Sequence, residues 1–322
     1  MNVKLPLKRL CLVLVPCIVC LSCSPSAREK ALRLNEEGIK KDKSGDFAGA
    51  VVDFSKAIEL YPKSVKAYNN RGSARCDLKD FEGAIADYST AIELDPKDPK
   101  IFYNRGNAKF KLNNYTDAVG DFDKAIELNP QFKEAYGNRG LAKRKTNDFE
   151  SALEDFNKIF ELDPNDTTAY FNRGNVKNDL KDYAGAIADF NKAVQSNPQN
   201  ADAYINRSIA KRNLKDFSGA VEDCNYAIKL DPKNAAAFDN SGFIKASLKD
   251  YAGAIADFDM AIKLNPDDEK AYSNRGVAKA HLQNYDGAIT DYKKAIELNP
   301  DDMAAHRNLD RAEMALHALK NQ

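Results

Sequence analysis

The sequence predicts an all-α protein, a solenoid of eight helix-turn-helix repeats closed by a helix at its C-terminal end. Two observations support this prediction. A proline recurs every 34 residues, and apolar residues within each unit recur with the four-three-four spacing of one helix face. Such a period is typical of a solenoid, whose units bury their apolar faces only against their neighbours. The eight prolines are Pro62, Pro96, Pro130, Pro164, Pro198, Pro232, Pro266 and Pro300.

The composition fits a folded chain and argues against a nucleic-acid partner. Of 322 residues, 43% are hydrophobic and 30% are charged, with 48 basic against 48 acidic side chains. The formal net charge is zero, so the whole chain has no source for the electrostatic attraction that dominates nucleic-acid binding. We therefore expect no nucleic-acid ligand.

Residues 1–22 predict an export signal. Lys4, Lys8 and Arg9 precede an apolar run from Leu10 to Leu21 that is broken only by one proline, and the segment has no acidic residue. An apolar run of about a dozen residues is too short for a membrane-spanning helix, which needs roughly 20. We expect the segment to be removed during export.

The end of this segment, Leu21-Ser22-Cys23-Ser24, resembles a bacterial lipoprotein signal. The resemblance implies that Cys23 is lipidated and becomes the mature N-terminus, so that acyl chains hold the protein at a membrane of the bacterial cell envelope. The match is imperfect, because Cys20 stands where an aliphatic residue is usual. The alternative is ordinary cleavage near Ser22 or Ser24, which would leave an exported soluble protein. Residues 23–30 would form a short polar linker.

Cysteine and histidine positions predict neither a metal site nor a cofactor. The spacing of Cys17, Cys20 and Cys23 is typical of a metal cluster only in a polar loop, and here it lies in an apolar segment. Two of the three histidines, His306 and His317, would share a helix face, but they are about 16 Å apart at the helical rise per residue. Motifs of the common enzyme classes are also absent, so we expect no catalytic activity.

Each 34-residue unit, numbered so that its proline is position 32, has the marks of two helices. Aspartate or asparagine at position 16 is a good N-cap for the second helix, and the proline ends that helix. Alanine at position 20 never varies, and glycine stands at position 8 in every unit except at Ser208, so the two helices can approach closely. The units are 31–64, 65–98, 99–132, 133–166, 167–200, 201–234, 235–268 and 269–302.

These features resemble the tetratricopeptide repeat (TPR) family, which has an aromatic residue at positions 4 and 24, small residues at 8, 20 and 27, and proline at 32. The resemblance implies a right-handed superhelical solenoid that acts in protein–protein interaction. The departures from the family pattern are arginine for leucine at position 7 in most units, and Cys224 for the aromatic at position 24, Ile159 for alanine at 27 and Ser196 for leucine at 30. We expect a small packing defect at Cys224 and altered local curvature at Ile159 and Ser196.

Residues 303–322 predict one further helix that caps the solenoid. An apolar face is expected from Leu309, Ala312, Leu316 and Leu319, with mostly polar or small residues elsewhere. Such a cap gives a solenoid end its polar outer surface.

A helical wheel places positions 2, 5, 6, 9, 12 and 13 of each first helix on the predicted concave face, and positions 3, 4, 7, 8, 10, 11 and 14 on the packed side. Apolar residues on the concave face would form a ligand groove across repeats 3 to 7, because contiguous exposed apolar patches mark interaction sites. If they are buried against neighbours instead, the solenoid would be a spacer. The predicted groove residues are Tyr103, Phe110, Leu141, Phe171, Ile205, Ile209 and Phe243.

Asparagine at position 6 forms a ladder along the same face in seven of the eight units. An amide both donates and accepts, so the ladder suits the backbone of an extended peptide, and asparagine here contacts ligand backbone in some family members. No unit has the lysine at position 5 that the carboxylate clamp of chaperone-binding members needs. The predicted ligand-binding asparagines are Asn104, Asn138, Asn172 and Asn206.

Arginine at position 7 lies at the centre of the packed side in six units, and an aspartate stands at position 23 in all eight. An isolated buried charge is costly, so we predict that these arginines pair with the aspartates, and that the lysines at position 11 extend outward to solvent. The alternative is an anion site along the arginine row.

The sequence thus predicts a scaffold or adaptor of the cell envelope that binds a protein or an extended peptide. Alternatives are a structural spacer without a high-affinity ligand, an accessory lipoprotein of outer-membrane protein assembly or polysaccharide export, and an enzyme or carbohydrate-binding protein. The sequence leaves the oligomeric state open.

Overall fold

The computed structural model describes residues 26–321, and over that range it contains seventeen α-helices and no strand. The predicted signal segment and the predicted lipidation at Cys23 lie outside these residues. The first eight helices are α1 Ala27–Lys43, α2 Phe47–Leu60, α3 Val65–Asp77, α4 Phe81–Leu94, α5 Pro99–Lys111, α6 Tyr115–Leu128, α7 Lys133–Lys145 and α8 Phe149–Leu162. The others are α9 Thr167–Asp179, α10 Tyr183–Ser196, α11 Ala201–Asn213, α12 Phe217–Leu230, α13 Ala235–Ser247, α14 Tyr251–Leu264, α15 Glu269–His281, α16 Tyr285–Leu298 and α17 Met303–Lys320.

The helices form two compact units, one ending at Pro96 and one beginning at Lys97. The first unit contains α1–α4, which are repeats 1 and 2, and the second contains α5–α17, which are repeats 3 to 8 and the last helix. Within each unit every helix packs against the next, and each first helix also contacts the first helix of the following repeat. The predicted helix-turn-helix repeat is therefore confirmed. Among residues 26–321, none of the helices has the length and apolarity needed to cross a bilayer.

The predicted helix boundaries follow from capping. In all eight second helices the side chain at position 16 accepts a hydrogen bond from the amide at position 19, over 2.9 to 3.4 Å. Each of these helices ends two residues before its proline. The turn between the two helices uses a left-handed residue at position 15, which is Gly45 in repeat 1 and a lysine, asparagine or glutamine with φ of 60 to 65° in the other seven.

The core repeats one contact between position 8 and position 24. A Cβ atom placed on any of the seven glycines at position 8 would lie 2.6 to 3.0 Å from the aromatic ring at position 24 of the same repeat. These rings are almost fully buried, as Phe122 and Phe258 illustrate. Glycine is therefore required because the ring occupies the space of its side chain.

Repeat 6 shows how the absence of the aromatic ring at Cys224 is accommodated. The same repeat is the one with Ser208 in place of glycine, and both side chains are fully buried. The thiol of Cys224 lies 3.3 Å from Ser208 Oγ, and the amide of Asn240 donates to both atoms. The two departures from the repeat pattern thus compensate each other, a relation that reading each position separately did not reveal.

The predicted arginine–aspartate pairs are confirmed. In six repeats Nη2 of the arginine at position 7 lies 2.5 to 2.7 Å from the aspartate at position 23 of the same repeat. The prediction that position 11 extends to solvent is wrong, because in all eight repeats its lysine or arginine bonds to that same aspartate over 2.6 to 3.0 Å. In the six repeats with an arginine at position 7, two cations thus share the buried carboxylate.

Three further expectations need correction. Helix α1 begins at Ala27, inside the predicted linker 23–30, because Ser26 and Glu29 form a capping box. The leucines at position 14 were expected to pack, yet in five repeats they are 37 to 51% exposed, since position 14 is the C-cap and the helical wheel no longer applies there. In α17, Ala312 is buried but Leu319 is 53% exposed.

Candidate functional site

The seven predicted groove residues differ in exposure. Phe243 is 42% exposed, and Tyr103, Phe110, Leu141, Phe171 and Ile209 are half-buried. Ile205 is only 6% exposed and packs with Ala227 and Ala237, so its assignment as a groove residue is wrong. The physical reason is that Ile205 packs between α12 of its own repeat and α13 of the next one. The stripe formed by the predicted groove residues therefore lacks its member at position 5 of repeat 6.

The aromatic members of the stripe pack mainly against their own repeats. The Tyr103 ring lies 5.9 Å from that of Phe122 and 4.9 Å from that of Phe132. Phe110 contacts Tyr115 edge-on, with ring centroids 5.0 Å apart. Their exposed edges are thus held rigidly, which limits the entropy lost when a ligand contacts them.

A cavity of about 240 Å³ joins four of the predicted residues on first helices α5, α7 and α9. Its polar wall contains Asn138 and Asn172, and Tyr103 and Leu141 contribute ring and aliphatic surface. The cavity exists because Gly137 stands at position 5, where repeats 3 and 5 have aromatic side chains. A Cβ atom on Gly137 would meet only Ile159 Cδ1, at 3.6 Å, so the space above it is open.

Gly137 and Ile159 shape this cavity and are among its lining residues that the sequence did not predict as site residues. The sequence pattern indicated Ile159 only as a departure that changes curvature. Ile159 is 4% exposed and forms the buried apolar wall of the cavity, and it gives an apolar ligand more contact surface than alanine, the residue at position 27 in the other repeats. The combination of a missing side chain at position 5 with a larger one at position 27 of the same repeat was the signal in the sequence.

Ion pairs fix the rim of the cavity. Lys133 Nζ lies 2.7 Å from Asp163 Oδ2 and 2.9 Å from Asp166 Oδ2. Hydrogen bonds to these two carboxylates raise the pKa of Lys133, and the bond from Lys133, together with the amide of Asn165, lowers the pKa of Asp163. Lys133 at the rim is therefore protonated, but its charge is compensated by the two aspartates, so the rim beside Glu134 and Thr168 has no free cation.

Part of the asparagine ladder serves contacts between repeats. The amide of Asn138 donates to Asn107 Oδ1 over 2.7 Å and to Tyr103 Oη over 3.1 Å, and the amide of Asn206 donates to Asn175 Oδ1 over 2.8 Å. The expectation that these amide donors are available to a peptide backbone is corrected for these two residues. Asn172 lies at the cavity wall, and Asn104 also has a polar contact of its own.

A second cavity, of about 220 Å³, lies at Phe243 in repeats 7 and 8. It is lined by Phe258, Asn274 and Val277, and by His281, whose ring stacks on Tyr251 with centroids 4.4 Å apart. Of the predicted groove residues, Tyr103 and Leu141 thus line one cavity and Phe243 lines another. Within residues 26–321 no cluster of histidine, cysteine, aspartate or glutamate is arranged to hold a metal ion.

Comparison with known families gives repeated matches along the chain. A model described as a TPR repeat matches residues 72–113 and 242–283, and one described as a tetratricopeptide repeat matches 99–132 and 269–302. Another tetratricopeptide repeat model matches 138–201 and 171–235, so that the matches together extend over more than half of the chain. The chain is built from tetratricopeptide repeats. This scaffold is suited to protein–protein interaction.

Individual relatives are similar over limited stretches. Tetratricopeptide repeat protein 36 of Xenopus tropicalis is 41% identical over 51 residues, which are 16% of this chain and 25% of that protein. The chain therefore spans about a quarter of the curated relative that it matches.

Solved tetratricopeptide structures share the fold. The Cut9–Hcn1 hetero-tetramer contains a chain that matches with a TM-score of 0.64 and 17% identity, over 83% of this chain and 52% of that one. PilF of Pseudomonas aeruginosa matches with a TM-score of 0.58 and 19% identity, over 69% of this chain and 99% of that one. At these identities the likeness is one of fold.

Proposed function

We propose that this chain is a scaffold or adaptor that binds an extended segment of a partner protein across repeats 3 to 5, with one apolar side chain of that segment in the Gly137 cavity. The cavity itself is the observation that supports this proposal. It combines an apolar wall, formed by Leu141 and Ile159, with amide groups at its edge, which is the usual make-up of a ligand pocket.

The dimensions favour a single aliphatic or aromatic side chain. Full burial of a leucine or phenylalanine side chain contributes roughly 1.5 to 3 kcal/mol, which is enough for one anchor residue of a peptide complex. Asn172 and Thr168 at the edge offer donors and acceptors to the peptide backbone on either side of the anchor. Because Lys133 is already paired with two aspartates, we expect no anionic anchor, and the apolar wall favours an uncharged one.

A peptide selection on immobilised protein tests this proposal. We expect the wild-type chain to enrich peptides with one recurrent apolar residue, and Gly137→Leu to lose them because its side chain fills the cavity. Ser273→Leu is the matched control, since it adds the same side chain at position 5 of repeat 8 and should leave the selected peptides bound. Equal binding by wild type and Gly137→Leu would contradict the proposal.

We also propose that the protein works at the bacterial cell envelope, anchored through acyl chains on Cys23. The basic residues, the apolar run and the small residues before Cys23 support this proposal. Labelling of growing cells with a fatty-acid analogue should mark the wild-type protein and not Cys23→Ser. Release of both forms in soluble fractions would favour ordinary cleavage near Ser22 or Ser24.

A structural spacer is the second candidate function. Ile205 is buried, and the amides of Asn138 and Asn206 bond to the preceding repeat. Both observations favour the spacer, because these side chains stabilise the solenoid and are not available to a ligand. The selection separates the two candidates. A spacer would enrich no peptide family on the wild-type chain.

A further inference from the structure

Six repeats contain the same receptor for a guanidinium group, occupied by their own arginine at position 7. In repeat 6, Arg207 Nε and Nη2 donate to Asp223 over 2.9 and 2.5 Å, and Nη1 donates to Asn191 of repeat 5 over 2.8 Å. The guanidinium carbon lies 5.2 Å from the ring centroid of Tyr204, at position 4. Across the six repeats this distance is 5.2 to 5.8 Å. A carboxylate and an aromatic ring thus define the receptor in all six repeats, and in five of them a polar group of the preceding repeat adds a third contact.

Repeat 7 has the receptor without the arginine. Phe238 stands at position 4 and Asp257 at position 23, but position 7 is Ser241. Ser241 Oγ donates to Asp257 Oδ2 over 2.6 Å, and Lys245 Nζ contacts the same oxygen at 2.6 Å. In the six other repeats the second oxygen, Oδ1, accepts the Nη2 bond of the arginine. In repeat 7 that bond is missing.

The missing arginine leaves the carboxylate accessible. The side chain of Asp257 is 14% exposed, whereas the other seven aspartates at position 23 are 3 to 6% exposed. Repeat 1 also lacks the arginine, but it has Leu34 at position 4 and Glu37 at position 7, so it lacks the aromatic ring as well. Only repeat 7 therefore has the ring and the aspartate but no arginine at position 7.

A cavity of about 280 Å³ lies on α12 at the repeat 6 side of this junction. It is lined by Asn225, at the position that bonds the arginine Nη1 at four other junctions of the second unit, and by Glu222, Tyr226 and Lys229. The Tyr226 ring is 57% exposed and stacks on Tyr204, with centroids 5.6 Å apart. This surface of α12 thus offers a carboxylate, a carboxamide and an exposed aromatic face.

We propose that the junction of repeats 6 and 7 binds the guanidinium of an arginine side chain on a partner protein, which supplies the cation missing at position 7. Arginine fits better than lysine, because its planar fork makes parallel bonds to a carboxylate and stacks on aromatic rings. Asp257 already pairs with Lys245 through Oδ2, as the aspartates of the other repeats pair with position 11, so the guanidinium would bond Oδ1, with Glu222 and Asn225 nearby. This surface involves α12, α13 and α14 and is separate from the Gly137 cavity, so its test does not depend on the function proposed above.

The test titrates the isotope-labelled full chain with Nα-acetyl-arginine N-methylamide and follows backbone amide signals. We expect saturable shifts confined to α12, α13 and α14. The citrulline analogue has nearly the same shape and no charge, and should bind about tenfold more weakly, as expected for loss of a charge-assisted hydrogen bond. Equal shifts with citrulline, or arginine shifts spread over all repeats, would overturn the proposal.

Two variants locate the site. Ser241→Arg supplies the guanidinium from the chain itself, so it should raise the melting temperature and abolish the shifts. Should this variant not fold, Asp257→Asn provides the same test, because it retains the shape and removes the charge. Arginine shifts that persist in the folded variant would overturn the assignment.

A third variant tests whether such a receptor accepts an external guanidinium. Arg207→Ser creates in repeat 6 the vacancy that repeat 7 has naturally. We expect this variant to lose thermal stability and to regain part of it when the arginine probe is added, with no comparable gain from the lysine analogue. No arginine-specific recovery would count against the receptor.

Discussion

At the scale of single residues, the arginines at position 7 stabilise their own repeat and also contact the preceding one. Arg139 is 16% exposed and bonds both Asp155 of its own repeat and Asp123 of the preceding one. Arg139→Leu leaves Asp155 buried with Lys143 as its remaining partner. We expect a loss of about 2 to 3 kcal/mol in the free energy of unfolding, somewhat less than for a buried pair that loses its only partner.

Urea denaturation measures this loss. The control is Lys158→Leu, which removes an exposed pair with Glu161 and should shift the midpoint very little. An unchanged midpoint for Arg139→Leu would show that the arginine row does not stabilise the fold. The anion-binding alternative would then need a test of its own.

A second prediction for a single residue concerns Asp239 and the pH dependence of stability. Burial is the main cause that raises its pKa to about 6, and the charge of Asp268 adds to it, while Asn274, Arg212 and Lys270 oppose the rise. The folded chain thus binds this proton more tightly than the unfolded chain, whose pKa is 3.8. Wild-type stability contributed by this group is therefore greatest below pH 4, falls between pH 4 and 6, and is lowest above pH 6.

Asp239→Asn should remove this dependence. A shift of about two pKa units corresponds to a gain of up to about 3 kcal/mol for the variant at pH 7, and the gain should disappear below pH 4. Thermal unfolding of both proteins from pH 4 to 8 provides the comparison. Parallel curves for variant and wild type would contradict the assignment of a buried carboxyl that becomes charged near pH 6.

Charge pairing at this scale was partly predictable from the sequence. Arginine in a packed stripe needs an anion, and position 23 was the position that supplied one in every repeat, so the pairs at Asp87 and Asp121 were correctly predicted. The role of position 11 was not predictable, because a long side chain can reach either solvent or a neighbour and only the three-dimensional path distinguishes them.

At the scale of helices, the contact between positions 8 and 24 predicts a coupled pair of substitutions in repeat 6. Cys224→Phe alone should place its ring against the Ser208 side chain and lower stability by about 1 to 3 kcal/mol through overpacking. Ser208→Gly alone should also destabilise, since it opens space and removes a partner of Asn240. The double variant recreates the glycine–ring contact of the other repeats.

A double-mutant cycle measures the coupling. We expect the double variant to be more stable than the sum of the two single changes by about 1 kcal/mol or more. Glycine and ring fit each other in seven other repeats, so the sign is determined by geometry. Strictly additive effects would contradict the compensation between Ser208 and Cys224.

Helix boundaries were largely predictable because their signals are local. Asp46 and its counterparts cap the second helices by accepting a hydrogen bond from the amide three residues later, and the proline ends these helices. The start of α1 at Ala27 was missed although its signal, Ser26 followed by Glu29, is also local, because only the 34-residue period was used to place that boundary. Exposure of the leucines at position 14 depends on the left-handed turn that follows, which no periodic pattern contains.

At the scale of the whole molecule, period and composition predicted the solenoid but not the site. A repeat fixes the average environment of each position, whereas a site is a departure from that average. Gly137 and Ile159 form a cavity because both depart in the same repeat, and Ser241 leaves Asp257 accessible for the same reason. Such pairs are separated by about 20 residues in the sequence, and the cavity or the exposed carboxylate that they produce is visible only in three dimensions.

Occupation of the Gly137 cavity by an apolar side chain of a bound peptide can be observed at Ile159. The δ1 methyl of Ile159 is isotope-labelled, and its NMR signal is followed as a selected peptide is added. We expect a large, saturable shift of this methyl, which disappears when the recurrent apolar residue of the peptide is replaced by alanine. If a peptide binds while the Ile159 methyl signal stays unchanged, its apolar side chain does not enter the cavity.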